Sequence, residues 1–151
     1  MTVLTGPTTG TAARPARAYA IVTWAYAAGF GIPTVPVAVY LVRHGKLPWF
    51  GGLFPMYGGP WSDQLEDSQF VGSLLGYVGL LVAVAGTAGR VRRGSRRAAV
   101  LSLGLLPVEA VFWLGFALPI PWIFGAARAA LLAAAWRQLR DPHTKKEISH
   151  A

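Results

Sequence analysis

Two ionisable side chains stand inside long apolar stretches of this chain: Glu109 in AAVLSLGLLPVEAVFWLGFAL, residues 98–118, and Arg128 in WIFGAARAALLAAAW, residues 122–136. A lone charge at the centre of a membrane costs roughly 3 kcal/mol on insertion scales, so each needs a partner or a purpose. At about 1.5 Å of rise per helical residue, Glu109 lies about 18 Å from Arg97 and Arg128 about 13 to 14 Å from Arg137. Their depths therefore differ by roughly one helical turn. Only Pro119, Ile120 and Pro121 join the two stretches. Such a short turn makes an antiparallel hairpin, along which an arginine reaches several ångströms. This predicts a Glu109–Arg128 ion pair. It reads either as a clamp that fixes the rotation of two helices, or as a catalytic or proton-carrying carboxyl adjusted by the arginine.

Around Glu109, Pro107 withholds a backbone N–H and frees a carbonyl one turn earlier, while Phe112 and Trp113 bring rings about a turn further on. Trp113 is thus a candidate substrate-facing ring. The pattern Pro107-x-Glu109-x-x-Phe112 resembles, over six positions, the acid motif of the small membrane-bound lycopene cyclases. That resemblance implies an isoprenoid substrate with Glu109 as the acid. The family usually carries a second adjacent acid, where this chain has Ala110.

Further candidates lie elsewhere. Thr34 sits between Pro33 and Pro36, with Gly29 and Gly31 just before, in a stretch expected to kink or break. Broken membrane helices can present backbone and hydroxyl groups to a substrate or ion. Asp63 and Glu66, with Asp67, are placed to fold over the mouth of a site; their spacing also resembles a helix capping box. His44, His143 and His150 lack metal-ligand spacing, and the absence of cysteine rules out thiol chemistry. No P-loop, dinucleotide fingerprint or nucleophile elbow occurs. No cofactor and no metal are expected.

These residues require elements that cross a bilayer. Hydrophobic residues make up 54% of the chain and charged ones 13%, well below the roughly 25% usual in soluble domains. The apolar residues fall in long runs, and about 20 of them span the hydrocarbon. Four spans are predicted, at about 18–42, 70–88, 98–118 and 122–136. The A-x-A at residues 25–27 suggests signal cleavage, but the apolar run continues well past it, so the first span is expected to be retained. Residues 1–17 and 137–151 read as polar cytoplasmic tails. Residues 43–68, rich in Trp, Tyr, Phe, Gly and Pro, are expected to lie on or dip into the interface. In the second span Gly72, Gly76, Gly79, Ala83 and Gly86 form a small-residue face, expected to pack against another span or a second copy, with internal packing favoured.

The formal charge of +8 could suggest a nucleic-acid partner, but the basic residues cap the ends of apolar runs instead of sharing a surface with aromatic readers. In the four-span arrangement, eleven Lys and Arg fall on one side and two on the other, including the five arginines of RVRRGSRR. The positive-inside rule then places both termini in the cytoplasm of a multi-pass cell-membrane protein. Richness in Ala, Gly, Arg and Pro is of the kind that high-GC bacterial genomes encode. The fold expected is all-α, a four-helix transmembrane bundle with a long aromatic interfacial segment. Its partners are the lipid bilayer and either another membrane protein or a second copy; no nucleic acid is expected. The function expected first is that of a structural, accessory or regulatory membrane subunit. A lipid- or isoprenoid-modifying cyclase or isomerase using Glu109, and a small transporter acting as a dimer, stand as alternatives. Proton donation to an apolar substrate needs a protonated carboxyl, whereas an arginine partner favours the carboxylate.

Overall fold

A computed structural model describes residues 14–51 and 53–140. Its elements are α1 (Arg14–His44), β1 (Trp49–Phe50), β2 (Phe54–Pro55), α2 (Pro60–Gln64), α3 (Asp67–Arg92), α4 (Arg96–Gly115) and α5 (Ile120–Arg140). The fold is helical apart from the two short strands, which pair antiparallel with Trp49 opposite Pro55. Three helices, α1, α3 and α4, are long and apolar enough to cross a membrane. At 21 residues, α5 is about 31 Å long, but Arg128 and Arg137 interrupt its apolar character.

The helices overrun the apolar stretches that announce them. α1 begins at Arg14, inside the expected tail, because Pro15 is tolerated in a first turn where N–H groups have no partner. α5 runs on to Arg140 through RQLR, residues with good helix propensity. The remainder of both expected tails lies outside the described residues. α1 also continues unbroken through Pro33 and Pro36. The prolines remove donors for the Gly29 and Ile32 carbonyls without ending the helix.

Local chemistry sets the turns. After α3, Gly94 takes a left-handed conformation (φ 87°). The Gly94 N–H donates to the Val91 carbonyl and the Ser95 N–H to that of Arg90. This is the helix-ending pattern that favours glycine. Ser95 then caps α4, its hydroxyl accepting from the Ala98 N–H at 3.3 Å. Three residues, Arg93, Gly94 and Ser95, thus reverse the chain, and α3 and α4 lie side by side. α4 stops at Gly115, three residues before the expected Leu118, through the same pattern. The Leu118 N–H donates to the Trp113 carbonyl and the Ala117 N–H to that of Leu114. Here an alanine, Ala117, occupies the left-handed position (φ 49°).

α1 packs mainly against α3 and also against α5, and α4 packs against the same two helices. Each contributes a stripe of large residues: Tyr19, Tyr26, Val37 and Leu41 from α1, then Phe70, Leu74, Tyr77, Leu81 and Val84 from α3. The small-residue face of α3 behaves differently from expectation. Gly72, Gly76, Gly79, Ala83 and Gly86 are exposed, and a Cβ on Gly72, Gly79 or Gly86 would meet nothing within 4 Å. Large side chains at spacings of three and four take the interior, where they make many dispersion contacts and, through Tyr77, a hydrogen bond, and the glycines turn outward.

Candidate functional site

Glu109 belongs to the inward stripe of α4 that also holds Ser102 and Trp113, and Arg128 to the stripe of α5 that holds Leu132 and Ala135. The hairpin brings the two charges face to face. Arg128 Nη1–H donates to Glu109 Oε2 at 2.6 Å and Nη2–H to Oε1 at 3.0 Å. This parallel fork is the strongest geometry a guanidinium offers a carboxylate. Both side chains are fully buried.

The surroundings of the pair come from α1 and α3. The Arg128 guanidinium lies over the Tyr26 ring, 5.2 Å from its centroid, an attraction between cation and π-face that strengthens away from water. The Tyr26 hydroxyl accepts from Trp113 Nε1–H at 2.8 Å and shares a hydrogen with the Tyr77 hydroxyl, also at 2.8 Å. Three helices therefore meet at one phenol. Gly125 makes the space for this: a Cβ there would lie 2.5 Å from Trp113 Cη2. On the other side of Arg128, its Nε and the buried Tyr19 hydroxyl make no hydrogen bond of normal geometry.

The other sequence candidates form separate groups. Thr34 is buried on α1, where its hydroxyl donates to the Phe30 carbonyl one turn back and lies 2.6 Å from the Tyr57 hydroxyl. Tyr57 donates to the same carbonyl at 2.8 Å. Thr34 therefore anchors the segment that follows α1 and stands apart from Glu109. Burial pushes the Tyr57 hydroxyl pKa up from its ordinary value, with the Thr34 hydrogen bond acting in the opposite sense. Asp63 lies exposed in α2 beside a surface cavity of about 270 Å³ that Lys46 and Asp67 also line. Glu66 is the N-cap of α3, its backbone N–H donating to Gln69 Oε1 at 3.4 Å. The capping pair is thus Glu66 with Gln69, not Asp63 with Glu66, because Asp63 is already inside α2.

Four tyrosines at 19, 26, 57 and 77 supply much of the polar interior; the sequence reading takes Tyr57 as a ring of the interfacial segment and gives the other three no role. Tyr19 and Tyr26 are seven residues apart on α1, which places both on one helical face. That spacing was the available signal. Tyr57 had none, since a left-handed backbone (φ 57°) turns it inward from an aromatic-rich segment.

Among the described residues no group of three or more His, Cys, Asp or Glu side chains converges as a metal site requires. Two cavities, the one beside Asp63 and a groove between α4 and α5, lie away from the ion pair. No protein-family model, curated protein or solved structure matches this chain.

Proposed function

We propose that this chain is a structural, accessory or regulatory subunit of a cell membrane, with the Glu109–Arg128 pair as the clamp that locks its last two helices. In this reading α5 is the fourth span of a transmembrane bundle. Both termini and the arginine turn at 90–97 face the cytoplasm, and the Tyr57 segment covers the opposite end. Arg128 would make α5 costly to insert alone; the guanidinium's salt bridge with Glu109 offsets that cost.

The closure of the pair carries the reading. Both carboxylate oxygens already accept from the guanidinium, and neither Glu109 nor Arg128 lines the groove between α4 and α5 or the cavity beside Asp63. An acid or a transport site would need room for a substrate or ion beside Glu109.

The test is purification in mild detergent with identification of stoichiometric membrane partners, repeated for the double variant Glu109→Leu with Arg128→Met. A clamp predicts that the double variant folds and keeps the partner. A lone chain that turns over a lipid or isoprenoid substrate would overturn the proposal, as would a folded double variant that loses such turnover or a concentration-dependent efflux.

A further inference from the structure

α1 carries two prolines inside it, Pro33 and Pro36, yet stays α-helical from Arg14 to His44. A proline brings no N–H to the carbonyl four residues before it, so the Gly29 and Ile32 carbonyls lack their usual donors. No tighter or wider helical turn takes them up. Among the described residues no side chain replaces the lost donors either: the Thr34 and Tyr57 hydroxyls both donate to the Phe30 carbonyl, on the inner side of the kink. Gly29 and Ile32 face outward. Ile32 is 72% exposed, and a Cβ on the exposed Gly29 would meet nothing within 4 Å. Both lie near the middle of a helix long and apolar enough to cross a membrane, where lipid offers an unpaired carbonyl no hydrogen bond.

We propose that this face of α1, formed by Ala25, Ala28, Gly29, Ile32 and Pro36, is where a transmembrane helix of a different protein docks, its hydroxyl or amide side chain donating to the Gly29 and Ile32 carbonyls. The inference rests on the subunit reading given under Proposed function. Charge complementarity selects the occupant, because two oxygens of partial negative charge call for a donor. Lipid chains carry none. A second copy carries none at this depth, which the neighbours of α1 mark: the Phe30 ring meets Phe124, Gly31 lies against Leu81, and the Tyr26 ring meets Trp113. The described residues that face outward there are apolar, Gly79 and Val82 on α3, Val111 and Leu114 on α4, Ile123 and Ala127 on α5. The exposed Trp24 indole on α1 already gives its N–H to the Ala85 carbonyl at 3.0 Å. Small residues at 25, 28 and 29 let a foreign helix come close enough for its polar side chain to reach the backbone, the usual way in which membrane helices supply a donor to a carbonyl freed by proline.

The test is photo-crosslinking of the full-length protein in native membranes, from p-benzoylphenylalanine placed at Ile32, with Val108 on the outward face of α4 as the control position. Ile32 should capture a different chain, within an apolar segment that holds Ser, Thr, Asn or Gln, and Val108 should not. Pro33→Ala with Pro36→Ala returns both N–H donors to α1. It should lower co-purification of the captured chain about tenfold, the loss of two interhelical hydrogen bonds, at an unfolding temperature no lower than that of the wild type. Replacing the captured donor by an apolar residue of similar size should cost the same factor and add nothing to the proline substitutions. Gly29→Leu, whose Cβ meets nothing in this chain, should block docking by bulk. A second copy or lipid as the only product at Ile32 overturns the proposal. So does unchanged co-purification in the folded double variant or, if that variant unfolds, in Gly29→Leu. A partner captured at Val108 and not at Ile32 overturns this face and leaves the subunit reading standing; no stoichiometric partner at all overturns both.

Discussion

Glu109 and Arg128 stabilise one another only as a pair. Removing one partner leaves the other charge buried, which costs about 3 to 5 kcal/mol in measured cases, whereas apolar residues of similar size in both places come close to neutral. Glu109→Gln and Arg128→Met are therefore each expected to lower detergent-resistant stability severely, and Glu109→Leu with Arg128→Met to restore most of it. Equilibrium unfolding of all three variants reads out this coupling. Tyr57 gives a second residue-level expectation. Its folded-state pKa is raised, so the neutral phenol belongs to the fold. That contribution is fully present below about pH 10, where the unfolded phenol ionises, and is lost as pH rises further. Wild type should lose more stability than Tyr57→Phe between about pH 9 and 11, a difference measurable by thermal unfolding.

Two turns make contrasting cases among the elements. Gly94 occupies a left-handed position that favours glycine, whereas Ala117 occupies one at a cost of roughly 1 kcal/mol. Ala117→Gly is expected to stabilise the protein by somewhat less than that, since glycine also gains freedom when unfolded. Gly125→Ala is expected to destabilise it by about 1 to 3 kcal/mol, because Trp113 cannot retreat without losing its bond to Tyr26. Thermal unfolding of both variants checks the opposite signs.

The sequence specified the apolar helices well, because a run of apolar residues leaves the backbone few alternatives in lipid. The facing of Glu109 and Arg128 also followed, because a short connection makes an antiparallel hairpin, although the turn is residues 116–119, with Ile120 and Pro121 already in α5. What escaped was lateral. For the small-residue face of α3 the favoured expectation, packing against another span of this chain, fails, since small-residue spacing alone does not reveal that Leu74, Tyr77 and Leu81 compete for the same interior; packing against a second copy, the other expectation, is untouched by this. Tyr57 escaped because its inward turn depends on one backbone conformation that its residue type disfavours.

The whole molecule divides into a first part, α1 and α3, and a second, α4 and α5, joined by the arginine turn. With eleven basic residues against two across the proposed membrane, a reporter domain fused after residue 151 is expected to remain cytoplasmic. Reversing the arginines at 90, 92 and 93 to glutamate should lower that fraction, as reporter activity in intact cells would show.

The two parts also meet at the opposite end. Gly59 begins α2 at φ 144°, and a Cβ there would lie 2.8 Å from the Ala117 N. Trp61 lies flat on Gly115, where a Cβ would approach within 2.3 Å of its ring. A segment made early in synthesis is therefore fastened to a turn made late. While α4 and α5 are still emerging, Gly59 and Trp61 lack their neighbours at Gly115 and Ala117, and Tyr57 on Thr34 and the Phe30 carbonyl is what ties the segment to α1. The segment around Trp61 is therefore expected to gain its full resistance to cleavage only with α4 and its following turn in place, which limited proteolysis of the whole chain and of one truncated after Arg97 would show.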